Sequence, residues 1–260
     1  MRRFRSRLSI GAVLLLTVAI LGAAVHARTQ RVVLSDDGCP VSRAVPSRRS
    51  IVLIVDQSDR FEAGDRQTVR LEAKRWFEQS QLYDRISVVL PNAQEPFEPR
   101  MLFHGCAPLS SRDASIFTST PRKLDEKWEE FRKKLDDAIE SGLRVESQPQ
   151  SPLMETLVAV ANDGEIGATD KVIVIFFSDM LQKSRFRGRK LSFYPPARLP
   201  DVDGARMKEF EQYLGSFSFE KLSIQVHRAA RRDQSRIRDD VKRFWEAWLK
   251  RHGASFEWSR

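Results

Sequence analysis

The feature that most constrains this chain is an uninterrupted apolar run, Ile51–Val55, which is followed directly by Asp56. Its length and its β-branched residues are typical of a strand that is covered on both faces. A second run of the same kind, Val172–Phe177, is followed by Ser178 and Asp179. In open α/β sheets, ligands bind beside the carboxyl ends of such strands. Both aspartates are therefore expected at a ligand-binding edge of a sheet.

Apolar strands and amphipathic helices alternate along the rest of the chain. The order predicts an α/β fold, with a doubly wound, mostly parallel sheet, helices on both faces and right-handed crossovers. The stretch 183–203 is rich in arginine and proline and predicts a long loop. Phe256 and Trp258 indicate either a last edge strand or a loose aromatic tail. Strands are predicted at 50–56, 85–90, 101–105, 171–177 and 221–227, and helices at 63–80, 121–141, 152–162, 205–215 and 233–252.

The N-terminal residues predict export from the cytoplasm. Several arginines precede an uncharged apolar run at 8–25, long enough at about 27 Å to cross a hydrocarbon core as a helix. The positive flank stays in the cytoplasm. Val25-His26-Ala27 also fits a cleavage site, so a removed signal peptide is the alternative to a retained anchor. We favour the anchor because the run is long for a signal peptide.

These observations divide the chain into three parts. Residues 1–28 form a transmembrane anchor or signal peptide, 29–49 a polar linker, and 50–260 one α/β domain. The basic N-terminus and the export signal suit a bacterial protein. The domain is then expected in the periplasm, either tethered to the inner membrane by one span or secreted there after cleavage.

Charge and cysteine content narrow the partners further. The net charge is +9, but four arginines belong to the export segment and most other basic residues alternate with acids. Such mixing is typical of solvated helix faces, and an exported domain does not meet DNA, so no nucleic acid is expected. The denser stretches 183–190 and 227–238 suit an acidic partner or anionic lipid head groups. In an oxidising compartment Cys39 and Cys106 either form one disulfide or remain unrelated thiols.

Polar oxygen atoms are expected to gather where the two apolar strands end. Asp56 and Asp179 share one crevice if their strands are neighbours, and Ser58 lies on the loop that follows Asp56. Ser151 is predicted as the N-cap of a helix with Pro152 at its first position, so its hydroxyl caps that helix or faces the crevice. Two carboxylates and two hydroxyls suit Mg²⁺, Ca²⁺ or Mn²⁺, with waters completing the coordination.

In these stretches the sequence resembles the von Willebrand factor A-type (vWA) domain, over roughly residues 48 to 250. That family carries a metal-ion-dependent adhesion site, with an Asp-x-Ser-x-Ser motif after the first strand. The motif is similar to Asp56-Gln57-Ser58-Asp59-Arg60. The family's Thr-Pro-Leu helix start is similar to Ser151-Pro152-Leu153, and its later strand ending in Ser/Thr-Asp is similar to Phe177-Ser178-Asp179. The resemblance implies Asp56, Ser58, Ser151 and Asp179 as metal ligands and a non-catalytic role in an envelope complex.

Two departures make the motif degenerate. Arg60 stands where the family has its second serine, and a guanidinium cannot ligate a metal. Met180 follows Asp179, where the family usually has glycine. Either a divalent cation binds despite Arg60, or Arg60 pairs with Asp56 or Asp179 and takes the place of the cation.

The expected function is therefore protein binding rather than catalysis. The chain contains no Gly-x-Ser-x-Gly elbow, phosphate-binding glycine-rich loop or zinc motif. A protein partner in the cell envelope is expected to contact Asp59, Arg60, Arg185 and Arg187, with or without a cation that binds its acidic group. One alternative is a structural component of a secretion or conjugation complex with a vestigial metal site. A metal-dependent hydrolase is the last alternative.

Overall fold

The computed structural model describes residues 32–41, 47, 49–58, 61–111, 120–144, 148–186, 188–193, 199–227 and 235–259. The predicted anchor or signal peptide at 1–28 lies outside the described residues. So do three predicted partner-binding residues, Asp59, Arg60 and Arg187. Within the described ranges, no helix is both long enough and apolar enough to cross a membrane.

Six strands form a mixed, mostly parallel sheet, which confirms the predicted α/β class. Their order across the sheet is β3-β2-β1-β4-β7-β8, and only β3 runs antiparallel to its neighbour. The other two strands form a separate hairpin, β5-β6. The strands are β1 (Arg49–Val55), β2 (Arg85–Leu90), β3 (Arg100–Cys106), β4 (Lys171–Phe177), β5 (Lys183–Phe186), β6 (Arg189–Ser192), β7 (Leu222–His227) and β8 (Ser255–Trp258).

Helices cover both faces of this sheet. The described helices are α1 (Ala63–Glu78), α2 (Pro121–Arg144), α3 (Leu153–Asn162), α4 (Ala205–Leu214) and α5 (Ser235–Arg251). Alternate residues of β1 contribute to two apolar clusters. Leu53 packs in the cluster formed with α1 and α2, and Ile54 packs in the cluster formed with α3, α4 and α5. Because both faces of β1 are covered, the strand is apolar at every position from Ile51 to Val55, as its sequence predicted.

Two stretches that the sequence left irregular or undecided are strands. The predicted loop at 183–203 contains the antiparallel β5-β6 hairpin, so this prediction was wrong. Each strand is short, and buried Ser184 and Leu191 stand among charged residues, so the sequence of the hairpin looks like that of a solvated loop. At the C-terminus, Phe256 and Trp258 lie in β8, which pairs in parallel with β7, so the edge-strand alternative is the one observed.

A disulfide joins the segment before the sheet to its antiparallel strand. The sulfur atoms of Cys39 and Cys106 are 2.09 Å apart. Cys106 ends β3 and pairs with Arg85, the first residue of β2. The bond therefore lies where the parallel strands begin, which we call the amino edge. The opposite end, where β1 and β4 finish, is the carboxyl edge.

Candidate ligand-binding site

The carboxyl edge contains the point at which the sheet reverses its order of growth. From β1 the chain extends to β2 and β3 on one side, whereas β4, β7 and β8 follow on the other side. Val55 and Phe177 end these two strands as register partners. The amide of Asp56 donates to the carbonyl of Phe177 across 3.1 Å, so the next residues leave side by side. This switch point is where open α/β sheets form ligand crevices.

The carboxylate of Asp56 lies at the centre of a ring of hydrogen-bond donors. Asp56 is only 4% exposed. Its Oδ1 accepts from the amide of Ser58 at 3.0 Å and from the hydroxyl of Ser151 at 2.9 Å. Its Oδ2 accepts from the hydroxyls of Ser58 at 3.1 Å and Ser178 at 2.7 Å. One carboxylate thus joins three separate segments of the chain.

Burial dominates the electrostatics of Asp56. Loss of solvation raises the pKa of this carboxyl above its ordinary value of 3.8, although all four hydrogen bonds act in the opposite direction. Hydroxyls and an amide supply those hydrogen bonds, and among the described residues no lysine or arginine contributes to the shift. The carboxyl therefore favours either a proton or an external positive charge more than an exposed aspartate does.

Ser151 faces the crevice and does not cap the helix that follows it. The helix α3 begins at Leu153 and its N-cap is Pro152, so the predicted N-cap role of Ser151 was wrong. The backbone of Ser151 instead pairs with Lys183 in both directions, at 2.8 and 2.9 Å. This extended pairing keeps Ser151 outside the helix and leaves its hydroxyl to bond Asp56.

Ser178 is a member of the site that the sequence reasoning missed. It follows the last residue of β4, and the register of the two strands places it opposite Asp56. Its hydroxyl makes the shortest of the four bonds to Asp56 and also accepts from the amide of Met180 at 2.8 Å. The signal was available in the sequence as a serine directly before Asp179, but only strand register places it against Asp56.

The loop after Ser178 is held in an unusual backbone conformation. Met180 has φ of 62°, in the left-handed region that glycine adopts more readily. Its side chain is fully buried, and its carbonyl accepts from the indole of Trp245 at 2.9 Å. Asp179 is half-buried beside it and accepts from the amide of Leu181 at 2.9 Å. Packing and hydrogen bonds thus hold the loop in place next to Asp56.

Gln57 anchors the first loop from the other side. It is buried, and its side-chain amide donates to the carbonyl of Gly142 in α2 at 2.9 Å. Its backbone carbonyl accepts from the amide of Gln148 at 2.7 Å, and the two side chains also bond to each other. Gln57 therefore ties the loop to α2, while its neighbours Asp56 and Ser58 bond to each other.

A second buried polar network attaches the β5-β6 hairpin to α3. The side-chain amide of Gln182 donates to Glu155 at 2.8 Å and to Ser184 at 2.9 Å, and its oxygen accepts from the amide of Met154. Burial raises the pKa of Glu155, so this carboxyl also resists ionisation. The hairpin presents Arg185 to solvent next to the loop that carries Asp179.

The donor set is compatible with a hard cation. A hydroxyl has one proton and two lone pairs, and Ser58, Ser151 and Ser178 each give their proton to Asp56. Their remaining lone pairs and the carboxylate are the oxygen ligands that Mg²⁺ or Ca²⁺ prefers. Across the described part of the chain, no group of three or more His, Cys, Asp or Glu comes together as a potential metal site. Any cation here would be held by one or two carboxylates together with hydroxyls and water.

Comparison with known proteins does not add a family to this description. No family model matches the sequence, and no curated protein is significantly similar to it.

Proposed function

We propose that this chain is a non-catalytic, exported, vWA-like module that binds a protein partner at the carboxyl edge of its sheet. The observation that carries the proposal is the buried carboxylate of Asp56, bonded by hydroxyls from three segments at the switch point. The strand order β3-β2-β1-β4-β7-β8 supports the proposal, because a vWA-like sheet has this arrangement with an antiparallel β3 at one edge. The left-handed backbone at Met180, where the resemblance expects glycine, supports it as well.

In the cation-dependent form of the proposal, Asp56, Ser58, Ser151 and Asp179 hold Mg²⁺, Ca²⁺ or Mn²⁺. When bound, the cation supplies an open coordination position for an acidic group of the partner. Asp56 contributes the charge, and the serines orient their lone pairs because their protons are directed at Asp56. Ser178 contributes by fixing the carboxylate. The basic hairpin with Arg185 adds attraction for the same acidic surface.

The second candidate is a structural component of a secretion or conjugation complex in which the site is vestigial. One observation favours it: four protein donors already satisfy both oxygens of Asp56. These hydrogen bonds favour the ionised carboxylate, so they take over part of the role that a cation would have. In this form, the loops and the hairpin contact the partner directly.

Calorimetric titration of the full chain in mild detergent with Mg²⁺, Ca²⁺ and Mn²⁺ distinguishes the two candidates. The cation-dependent form predicts saturable heat for the unmodified chain and its loss in Asp56→Asn. The matched control is Asp84→Asn, because Asp84 is an equally buried aspartate at the amino edge. Absence of heat with all three ions would overturn the cation-dependent form and leave the vestigial site.

The partner surface is tested by photo-crosslinking in the bacterial envelope. A photoreactive amino acid at Arg185, in the basic hairpin, is expected to capture a protein that the same group at Leu71 does not capture. Leu71 is also exposed, but it lies on α1. Capture at both positions or at neither would contradict a partner surface at the carboxyl edge.

Localisation is tested by sequencing the N-terminus of the mature protein. A retained anchor leaves the chain starting at Met1 or Arg2, whereas cleavage after Ala27 leaves a chain that starts at Arg28. Either result is compatible with a periplasmic domain, but only the first is compatible with a permanent tether.

A further inference from the structure

Exposed apolar side chains are concentrated at the amino edge. Val33 is 67% exposed, Val41 64% and Leu34 45%. These three residues belong to one short turn: the amide of Val41 donates to the carbonyl of Val33 at 2.9 Å, and Leu34 bridges to Pro40. We call the segment 32–41 the apolar turn. Leu82, which is 41% exposed, precedes β2 at the same edge.

The apolar turn is fixed to the sheet. Cys39 is bonded to Cys106, and the amide of Cys106 donates to the carbonyl of Asp37 at 3.0 Å. Cys106 in turn pairs with Arg85 at the start of β2. The turn therefore has a defined position at the amino edge, and a surface that contacts it also orients the sheet.

The sequence places this turn close to the proposed membrane span. The apolar run ends at Val25, and seven residues separate it from Val33. Even fully extended, those residues reach about 25 Å, so the turn cannot move far from the bilayer if the span is retained. Exposed valine and leucine side chains beside a bilayer gain free energy by entering the interface between head groups and acyl chains.

The site lies at the other end of the strands. β1 has 7 residues. At about 3.3 Å per residue, Asp56 is about 23 Å farther from the amino edge than Arg49 is. The β5-β6 hairpin follows β4, so its Arg185 is also displaced toward the carboxyl edge. A domain that rests on the membrane by the apolar turn holds both features away from the lipid.

We propose that Val33, Leu34 and Val41 dock the domain on the bilayer surface, so that the amino edge faces the membrane and the carboxyl edge faces the periplasm. The proposal rests on the proposed membrane anchor and is independent of cation binding. It makes lipid the ligand of the apolar turn. The basic hairpin is then directed toward a protein rather than toward lipid head groups. Exposed Asp36 and Asp37 in the turn disfavour attraction to anionic lipid, so the contact is made by the apolar side chains alone.

The test uses the full chain reconstituted in phosphatidylcholine vesicles with and without brominated acyl chains. Both native cysteines are in the disulfide, so a new cysteine carries a single environment-sensitive fluorophore. The variants are Val33→Cys and Val41→Cys at the amino edge, with Phe97→Cys as the matched control. Phe97 is an exposed apolar residue between β2 and β3, at the carboxyl edge. Intact mass confirms that each variant retains one label and the native disulfide.

Brominated lipid is expected to quench the label at positions 33 and 41 at least about twofold more than at position 97. The difference should persist at high salt, because apolar insertion is not screened. Equal quenching at the two edges, stronger quenching at position 97, or loss of the difference in salt would each overturn the proposal. If the chain does not float with vesicles, it has no membrane anchor, and the proposal, which rests on that anchor, is overturned. Failure of the cation titration would leave it unaffected.

Discussion

Two buried aspartates at opposite edges of the sheet differ in what balances their charge. Asp84, at the amino edge, is 1% exposed and accepts from the guanidinium of Arg49 at 2.6 Å and from the amide of Gln81 at 2.7 Å. Asp56, at the carboxyl edge, is 4% exposed and is bonded by serines and an amide. Arg49 neutralises the first charge, whereas no lysine or arginine in the described part of the chain contributes at the second, which is open to a proton or an external cation.

The surroundings of the two aspartates extend this difference. The amino edge holds the disulfide and a cluster in which Glu165 pairs with Arg85 and also contacts the imidazole of His104. The carboxyl edge holds a left-handed residue and two carboxyls, Asp56 and Glu155, that burial makes harder to ionise. Interactions that stabilise the fold are thus concentrated at the amino edge. Polar groups whose burial is costly are concentrated at the carboxyl edge. This contrast is typical of a rigid scaffold that carries a binding site.

The largest expected effect is at the amino edge. Replacing both Cys39 and Cys106 by serine removes a cross-link between residues 67 apart in sequence. The greater freedom of the unfolded chain is expected to lower the free energy of unfolding by about 4 kcal/mol. Urea titration of the full chain in detergent measures it, and reduction of the unmodified protein should give a similar loss. Unchanged stability in both would contradict a structural role for this edge.

Asp84→Asn is expected to have the next largest effect. The change leaves Arg49 without its carboxylate partner, and the side chain of Arg49 is 24% exposed, so solvent compensates in part. A loss of about 2 kcal/mol is expected, below the full cost of breaking a buried pair. The same urea titration measures it, with exposed Asp170→Asn as the control. A loss no greater than that of the control would remove the contrast with Asp56.

Asp56→Asn should change stability mainly through its pH dependence. Because the folded pKa of Asp56 is raised, the folded state binds more protons than the unfolded state at pH values above 3.8. Stability of the unmodified chain relative to Asp56→Asn should therefore fall as pH rises from there to the folded pKa. The slope is at most about 1.4 kcal/mol per pH unit, and the difference is constant above the folded pKa.

Urea titrations of the two proteins across that pH range give the difference curve. Glu155, whose pKa burial also raises, is present in both proteins and so cancels in the difference. A rising or flat curve would mean that Asp56 is balanced by a positive charge after all. Arg60 would then be the residue to replace next.

The smallest expected effect comes from Ser178→Ala. It removes the hydrogen bond to Asp56, which is worth about 1 kcal/mol, and also the acceptor of the Met180 amide. Because that bond lowers the pKa of Asp56, its loss should extend the titration of Asp56 to higher pH. To measure this extension, the stability of Ser178→Ala is compared across pH with that of the double variant Asp56→Asn, Ser178→Ala. Ser80→Ala, which removes a hydroxyl bonded to the carbonyl of Phe77, is the control and should leave the pH range of the Asp56 titration unchanged.

Much of the fold was predictable because burial on two sides leaves a strong pattern. β1 and β4 have runs of apolar residues, and α2 repeats apolar residues on one face. Their type and approximate bounds therefore follow from the local order of apolar residues. The β5-β6 hairpin was not predictable in this way. Its strands have 4 residues each and are rich in basic side chains, and their pairing depends on buried contacts beneath them.

The candidate site divides in the same manner. Asp56 and Ser58 could be named from the sequence because they lie just after a strand, and strand ends are a local property; Asp179 was named on the same ground, and its role as a ligand stays a prediction. The role of Ser151 was not, because it depends on pairing with Lys183, which is 32 residues away. Ser178 joined the site only through the register between β1 and β4. Register is decided by packing of both faces together, which no single segment encodes.

By itself, the sequence determined that this chain forms an α/β sheet with an aspartate at the end of each of two buried strands, since alternation of elements and apolar content are local. Only the tertiary structure decided that three serine hydroxyls converge on Asp56 and that no described lysine or arginine offsets its charge. It also decided that the cysteines meet at the opposite edge. Distances between segments arise from the balance of burial and hydrogen bonding over the whole domain, and this balance gives Asp56 its chemistry.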